Sequence, residues 1–417
     1  MPEPERSLTL GDWQRARMGR GLLRHLDGAI LKVCAAALRS APLGHLHLTL
    51  PSGRSAMLGL GSSRGSEARL TVATYSVIWN ALRRGPIGFA ESFRDGDIAT
   101  DNLHDVFNYY FDNRAALMSA RHGLFRVGWR DRLLHRRRAN TKIGSRRNIA
   151  AHYDLGNAFY RQWLDAGLTY SSAIYREPEQ SLEVAQAEKI RCILEALEVR
   201  TGMSLLEIGC GWGSFAEAAA NLGAQVTGIT ISEQQHQEAS DRLRRAGLVD
   251  HAEIRFEDYR DVEGQFDRIA SIEMIEAVGE ANWATYFGVL ADRLKPGGCG
   301  VIQAITIADA QFEAYRRKPD FIQRFIFPGG MLPTVAAMRS NAEAAGLTFE
   351  TVETFGTSYA LTLAEWRRRF DAAWPRIAAL GFDDRFRRLW QYYLAYCEVG
   401  FARGAVDVGL YRVRKPL

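Results

Sequence analysis

The segment Ser204-Leu-Leu-Glu-Ile-Gly-Cys-Gly-Trp-Gly213 joins a short apolar strand directly to a turn with glycine at every second position. Glycine lets a backbone bend sharply and approach a ligand with no Cβ in the way, as a strand–turn–helix that holds a nucleotide-like molecule requires. An alanine-rich helical stretch, Phe215 to Leu222, follows at once. Ala224 to Ile231 then reads as a second strand, Glu233 to Ala246 as a second helix and Phe266 to Ile272 as a further strand. The turn Lys295-Pro-Gly-Gly298 leads into another apolar run, Gly300 to Thr306. A βαβαβ order of this kind predicts an α/β fold: a parallel sheet with helices on both faces.

Glycine triplets occur in nicotinamide and flavin enzymes too, so Gly209, Gly211 and Gly213 do not name the ligand alone. The spacing is GxGxG rather than GxGxxG, and Glu207 stands two residues before the first glycine. An acid there opposes an anionic pyrophosphate but suits the cationic amino-acid end of S-adenosylmethionine. The second strand ends at Thr230 and Ile231, where a ribose-binding polar group belongs, and Gln235 is the side chain in reach. Tyr259 and Arg260 follow the expected end of the third strand and are candidates to flank an adenine.

Upstream, His45 to Pro51 alternates apolar and polar residues and predicts a strand ending at a Pro-Ser-Gly turn. Thr71 to Trp79 is a second candidate strand, and Ala90 to Phe111 reads as an acidic helical patch. With 417 residues the chain exceeds one ordinary core. The expected division is a smaller, mostly helical N-terminal domain over 1–125, a basic linker over 126–147 and the α/β domain over 148–417. A hydrophobic content of 47% with 24% charged residues fits a globular protein. No window approaches the roughly 20 apolar residues of a membrane span, and the first residues lack the order of a secretory signal. A cytoplasmic location is expected.

The five cysteines, Cys34, Cys192, Cys210, Cys299 and Cys397, show no metal-binding spacing, so free thiols and no metal site are expected. The net charge of +5 is unevenly spread. Between Arg121 and Arg147 stand Arg126, Arg130, Arg132, Arg136, Arg137, Arg138, Lys142 and Arg146 against one acid, Asp131. Arg15, Arg17, Arg20 and Arg24 form a second cluster. Charge alone leaves an anionic membrane, a nucleic acid and a solvated linker open.

Beyond the glycine turn, a series of blocks resembles the cyclopropane fatty acid synthase family and its mycolic acid and methyl-branching relatives. These blocks are Asn148-Ile-Ala-Ala-His-Tyr-Asp-Leu-Gly-Asn157, Thr169-Tyr-Ser-Ser-Ala173, Leu206 to Gly213 and Thr230-Ile-Ser-Glu-Gln-Gln235. Asp258-Tyr-Arg-Asp261, Glu273-Met-Ile-Glu-Ala-Val-Gly279, Phe325-Ile-Phe-Pro-Gly-Gly330 and Tyr392-Tyr-Leu394 continue the series in order. Gly88 to Gly96 resembles the family's N-terminal domain more weakly.

The resemblance implies a Rossmann-like class I methyltransferase domain. Its chemistry is transfer of the S-adenosylmethionine methyl to a cis double bond of an acyl chain, usually in a phospholipid. Loss of a proton then gives a cyclopropane or a methyl- or methylene-branched chain. By the resemblance the methyl donor would touch Tyr170, Ser171, Gly209, Thr230, Ile231, Gln235, Tyr259, Arg260 and Ile272. A bicarbonate, the proton acceptor in ring-forming members, would use Ser172, Glu276, Gln303, the backbone of Ile305, and Tyr393.

Three positions depart from the family pattern: Ser172 stands for a cysteine, and Ala277 and Gln303 for histidines. Gln303 can donate from its amide but cannot take up a proton at neutral pH. Together with Glu276-Ala-Val-Gly, this looks closer to the tuberculostearic type of branching enzyme. A branched product is therefore expected, with ring closure as the alternative and a non-catalytic lipid binder on the same fold as a further one. The resemblance also turns the basic linker into a contact with a peripheral membrane surface, rather than nucleic acid. A homodimer and a separate reductase are further candidate partners.

Overall fold

The computed structural model describes residues 20–39, 41–59, 62–119, 155–317 and 320–417. The basic stretch from Arg121 to Arg147 and the start of the block at Asn148 lie outside them. The described residues form two compact units, one of residues 20–119 with Asp384–Tyr392, the other of residues 155–383 with Tyr393–Leu417.

The first unit contains α1 (Arg20–Ala37), β1 (Leu43–Thr49), β2 (Ser55–Leu58), β3 (Ser62–Val72), α2 (Ser76–Arg84), α3 (Pro86–Arg94), β4 (Ile98–Ala99) and α4 (Leu103–Ser119). Its centre is a four-stranded sheet in the order β2-β1-β3-β4, so the mostly helical expectation understates its strands. Along β1, side chains alternate between half-buried and buried, as the sequence pattern requires. Asp27 on α1 is fully buried, yet satisfied: Ser52 donates to it and the Tyr75 hydroxyl donates at 2.6 Å.

The expected strand from Thr71 to Trp79 is corrected. β3 ends at Val72, Thr74 and Ser76 exchange a hydroxyl hydrogen bond at 2.6 Å, and α2 takes over from Ser76. Helical spacing buries Val77 and leaves Trp79 exposed, which overrides the β-branched character of the run. The patch from Ala90 to Phe111 is split between α3 and α4 by β4.

In the second unit a short helix, α5 (Asn157–Tyr160), precedes α6 (Leu182–Ala196). Then follow β5 (Ser204–Ile208), α7 (Ser214–Asn221), β6 (Gln225–Thr230), α8 (Glu233–Arg245), β7 (Ala252–Phe256) and β8 (Phe266–Ile272). After these come α9 (Trp283–Arg293), β9 (Leu294–Thr306), α10 (Asp309–Arg316), α11 (Val335–Ala344), β10 (Thr348–Thr354), α12 (Gly356–Ala379), α13 (Asp384–Ala402) and β11 (Asp407–Arg414). The first half of α13 belongs to the first unit, where Arg388 Nε donates to the Arg94 carbonyl at 2.8 Å.

The strands form one sheet in the order β10-β11-β9-β8-β5-β6-β7. It is parallel except for β11, which runs antiparallel between β9 and β10, so the fully parallel expectation is amended at that edge. Leu206, Ile208, Ile229, Ile269 and Ile302 carry the core beneath the helices. The turn expected at Lys295–Gly298 is absorbed as an irregular start of β9. Chain direction across the sheet reverses between β5 and β8, and ligands in such sheets bind outside the carboxyl ends of strands at that point. The glycine turn leaves β5 there, and the Glu273–Gly279 block leaves β8 beside it.

Candidate active site

Gly209, Gly211 and Gly213 all lie in the left-handed region, at φ 80°, 52° and 85°. The N–H groups of Gly209 and Cys210 both donate to the Ile229 carbonyl at 3.0 Å, fastening the turn to β6. A Cβ on Gly213 would come within 3.0 Å of the Ala239 Cβ on α8, so glycine also sets how closely that helix packs.

Glu207, at the carboxyl end of β5, is 2% exposed, and burial drives its carboxyl well above the usual range. Its Oε2 has no hydrogen-bond partner among the described residues. The nearby positive charge is Lys189 on α6, itself 1% exposed and lowered by burial to about 8. Lys189 Nζ donates to Ser171 Oγ at 2.7 Å, tying the Tyr170–Ser172 segment to the strand end. Sequence reading missed Lys189, although it falls on the buried face of α6 with Leu182, Ala185, Gln186 and Ile193. A lysine at helical register with apolar positions was the available signal.

Thr230 and Gln235 are both buried, and the Thr230 hydroxyl donates to Gln235 Oε1 at 2.8 Å. Ile231 follows β6, half-buried, and Ile272 ends β8 opposite Gln303 on β9. Tyr259 is half-buried, and the Arg260 guanidinium lies 5.4 Å from its ring centre. Arg260 grips Asp258 with two bonds, from Nε at 2.8 Å and Nη2 at 2.6 Å, so its charge is spent locally. The glycine turn and the orphaned Glu207 oxygen fit S-adenosylmethionine, which supplies an electrophilic methyl when bound.

A second cluster lies past the end of β8. Glu273 adopts φ 49°, in the region L side chains rarely enter. Its Oε1 accepts from the Ser172 N–H and from Gln303 Nε2, each at 2.8 Å, and its Oε2 from the Tyr359 hydroxyl at 2.8 Å. Gln303 Nε2 also donates to the Ser172 carbonyl at 3.3 Å, which fixes the amide with Oε1 buried and unpartnered among the described residues. The Ser172 hydroxyl donates to the Ala173 carbonyl at 2.9 Å. Glu276 Oε1 accepts from the Ile305 N–H at 2.6 Å, and its Oε2 is buried without a partner among the described residues. Burial and the neighbouring Glu273 push the Glu276 carboxyl up to about 8.

These residues do not fit a bound bicarbonate. The N–H and O–H groups of Ser172, Gln303 and Ile305 that would hold the anion are engaged with carbonyl and carboxylate oxygens of the chain itself. Tyr359 is absent from the sequence-derived site, and Glu273 enters the sequence reading only as the first residue of the Glu273–Gly279 block, with no role assigned. A glutamate in a left-handed turn is signalled by no spacing rule.

The hydroxyls of Tyr170 and Tyr393 meet at 2.9 Å. The Tyr170 ring is surrounded by Tyr160 at 5.4 Å, Trp163 at 5.7 Å, Trp366 at 5.3 Å and Phe327 at 6.3 Å. Such a wall excludes water and tolerates apolar chains and developing positive charge. The described residues contain no cluster of side chains suited to a metal ion. All five cysteines are free, with Cys192, Cys210 and Cys299 buried.

Residues 140–410 match the mycolic acid cyclopropane synthetase family. The chain is 38% identical, over 78% of each sequence, to the tuberculostearic acid methyltransferase UfaA1 of Mycobacterium tuberculosis. It is 33% identical to the cyclopropane-fatty-acyl-phospholipid synthase of Escherichia coli, covering 85% of this chain and 89% of that one. Among solved structures it resembles the mycolic acid cyclopropane synthase CmaA1 complexed with SAH and CTAB. The TM-score is 0.60 and the identity 27%, covering 65% of this chain and 98% of that one. The chain belongs to the mycolic acid cyclopropane synthetase family and is an S-adenosylmethionine-dependent methyltransferase.

Proposed function

We propose that the enzyme methylates the double bond of an unsaturated acyl chain in a phospholipid and releases a methylene-branched chain. The observation that carries this reading is the pair Glu273 and Glu276 at the carboxyl end of β8, beside the glycine turn and the aromatic wall around Tyr170. An alkene is a weak nucleophile, so the reaction needs a dry pocket, alignment with the sulfonium and a base for the proton that follows. Tyr160, Trp163 and Trp366, all fully buried, supply the dry wall. Glu207, Gly209, Gly211, Gly213, Thr230, Ile231, Gln235, Tyr259, Arg260 and Ile272 are assigned to the methyl donor with Tyr170 and Ser171. Ser172, Glu276, Gln303, Ile305 and Tyr393 are assigned to the reacting centre.

A methylene product needs two electrons and two protons to become a methyl branch, and this chain's chemistry supplies neither electron. A separate reductase therefore completes a saturated product. We assign residues 1–125 to a lipid-associated domain, 126–147 to a basic linker and 148–417 to the catalytic domain. Among the described residues no helix is long and apolar enough to cross a membrane. The linker's arginines suit a peripheral position on the anionic inner face of the membrane, with the protein otherwise cytoplasmic. A homodimer is the assembly proposed.

The test is incubation with methyl-labelled S-adenosylmethionine and oleoyl or vaccenoyl phospholipid, followed by mass spectrometry with ozonolysis. Label in a chain that still ozonises, one methylene unit heavier, is the expected result. A labelled chain with no double bond and an intact ring would replace branching with cyclopropanation.

A further inference from the structure

We propose that Glu273 is the resident anion of this site, standing where the family resemblance calls for bicarbonate, and that its carboxylate receives the proton lost by the acyl chain. The proton-transfer half of this statement rests on the lipid methylation proposed above; the resident-anion half does not.

An anion-binding site must present donors, and here the donors already serve Glu273. Ser172 N–H and the Gln303 amide converge on Oε1, and the Tyr359 hydroxyl takes Oε2. The Ile305 N–H, a fourth donor the bicarbonate would need, is held by Glu276. Of the unpartnered buried atoms nearby, Gln303 Oε1 is an acceptor and adds no donor for a second anion. An added bicarbonate would also face the Glu273 carboxylate, and like charges sharing one site repel.

The backbone is built for this placement. Glu273 holds φ 49° despite its side chain, and its own N–H donates to the Gln303 carbonyl at 2.8 Å. Residue 273 is thus tied to residue 303 through both main chain and side chain. Strain of this kind persists where the surroundings over-determine it, commonly at functional sites. A carboxylate offers about four acceptor positions, and the three donors leave one on Oε2. Burial raises the Glu273 carboxyl, and its donors and Lys189 pull the other way.

The step balances as follows. The alkene π pair forms the bond to the methyl carbon, the C–S pair stays on sulfur, and one alkene carbon becomes cationic. A hydride then shifts from the methylated carbon to its cationic neighbour, moving the positive charge to the carbon that bears the new methyl. A C–H bond of that methyl breaks, its electron pair forms the new C=CH2 bond, and the proton passes to Glu273 Oε2, giving a neutral acid that later releases it to solvent.

Two measurements on the full-length protein test this. In the first, ¹³C-bicarbonate is titrated with wild type and with Glu273→Gly, the substitution that suits the left-handed backbone, and its line width is followed by NMR. Wild type is expected to leave the line unchanged and E273G to broaden it. In the second, phospholipid methylation is assayed in buffer stripped of carbon dioxide, with and without added bicarbonate. Wild type is expected to be indifferent. E273G, shown to be folded by retained S-adenosylhomocysteine binding, should fall by at least about 100-fold, within the usual range for a lost general base, and recover partly with bicarbonate. Bicarbonate binding by wild type, loss of its turnover on stripping, or full turnover by E273G would each overturn the proposal. If wild type methylates no unsaturated phospholipid, the lipid reading fails, and the NMR titration still decides whether the anion site is filled from within.

Discussion

Lys189 Nζ lies 2.7 Å from Ser171 Oγ, wholly inside the protein, and is the cation that offsets the buried Glu207. One ammonium thereby couples the strand end before the glycine turn to the segment carrying Tyr170 and Ser172. Replacing Lys189 with methionine keeps most of the volume but strands a carboxyl with no counter-charge. K189M should weaken S-adenosylhomocysteine binding by about 10-fold or more, since a charge-assisted hydrogen bond contributes about 1.5–3 kcal/mol. Calorimetric titration reads this directly. An unchanged Kd in a folded variant would confine Lys189 to a packing role.

Glu276 makes a pH prediction with a definite sign. Its carboxyl is raised from the ordinary 4.5 to about 8, by burial first and Glu273 second. Between those values the unfolded chain has released the proton that the folded protein still holds. The group's contribution is therefore intact below about 4.5, declines as pH rises toward about 8 and is constant above that. Glu276→Gln has no proton to lose and can still accept from the Ile305 N–H. Its Tm relative to wild type should thus climb between pH 5 and pH 8 and then level off. Differential scanning calorimetry at pH 5, 7 and 9 checks this; a Tm difference independent of pH would contradict it.

Much of this was legible in the sequence, for reasons of range. β5, the glycine turn and β8 are set by neighbours within a few residues, so Ser204–Ile208 and Phe266–Ile272 could be read from local pattern. The place of β11 could not, because it depends on Asp407–Arg414 pairing with residues about a hundred positions earlier. Ser172, Gln303, Glu276 and Ile305 were found through the resemblance, and the structure brings all four around the end of β8. The role of Glu273 was hidden because it follows from a positive φ and from Tyr359, a partner 86 residues away. Hydroxyl direction was equally invisible: Ser172 points its donor at its neighbour's carbonyl.

Tyr170 and Tyr393 share one hydrogen bond at 2.9 Å, between a segment beside the glycine turn and helix α13. Tyr393→Phe removes a single oxygen from a buried pair and should leave the fold intact at a cost of about 1 kcal/mol. If Tyr393 serves the reacting centre, kcat should drop by about 10-fold or more while the KM for S-adenosylmethionine stays within twofold, as for an interaction made in the transition state. A change in KM alone would move Tyr393 to donor binding.

Charge reversal of Arg136, Arg137 and Arg138 tests the proposed membrane contact. Each basic side chain at an anionic surface contributes about 1 kcal/mol, screened by salt. The triple glutamate variant should lose most of its binding to phosphatidylglycerol-containing liposomes in a sedimentation assay, and the remainder should depend less on ionic strength. Methylation of a detergent-solubilised substrate should be nearly unaffected. Liposome binding that survives the reversal with the same salt dependence would exclude this stretch as the contact.

The glycines of the turn are not equivalent, and alanine substitutions should rank them. At Gly211, φ is 52° and an added Cβ would meet nothing within 4 Å. Only the left-handed backbone is then penalised, by about 1–2 kcal/mol for a residue with a Cβ. At Gly213 the backbone penalty is joined by a contact at 3.0 Å with the Ala239 Cβ, which belongs to a packed helix and cannot swing aside. At Gly209 the nearest atom, at 3.1 Å, is Met274 Cγ, part of a flexible side chain that can yield. Thermal unfolding should therefore place G213A lowest, with G209A and G211A above it. Donor affinity should follow a different order. Gly209 and Gly211 stand directly after the strand end, so G209A and G211A should lose more S-adenosylhomocysteine binding per degree of Tm than G213A. If all three lose stability and affinity in one fixed proportion, the turn acts only as a fold element, and close approach of the ligand to its backbone is not what the glycines provide.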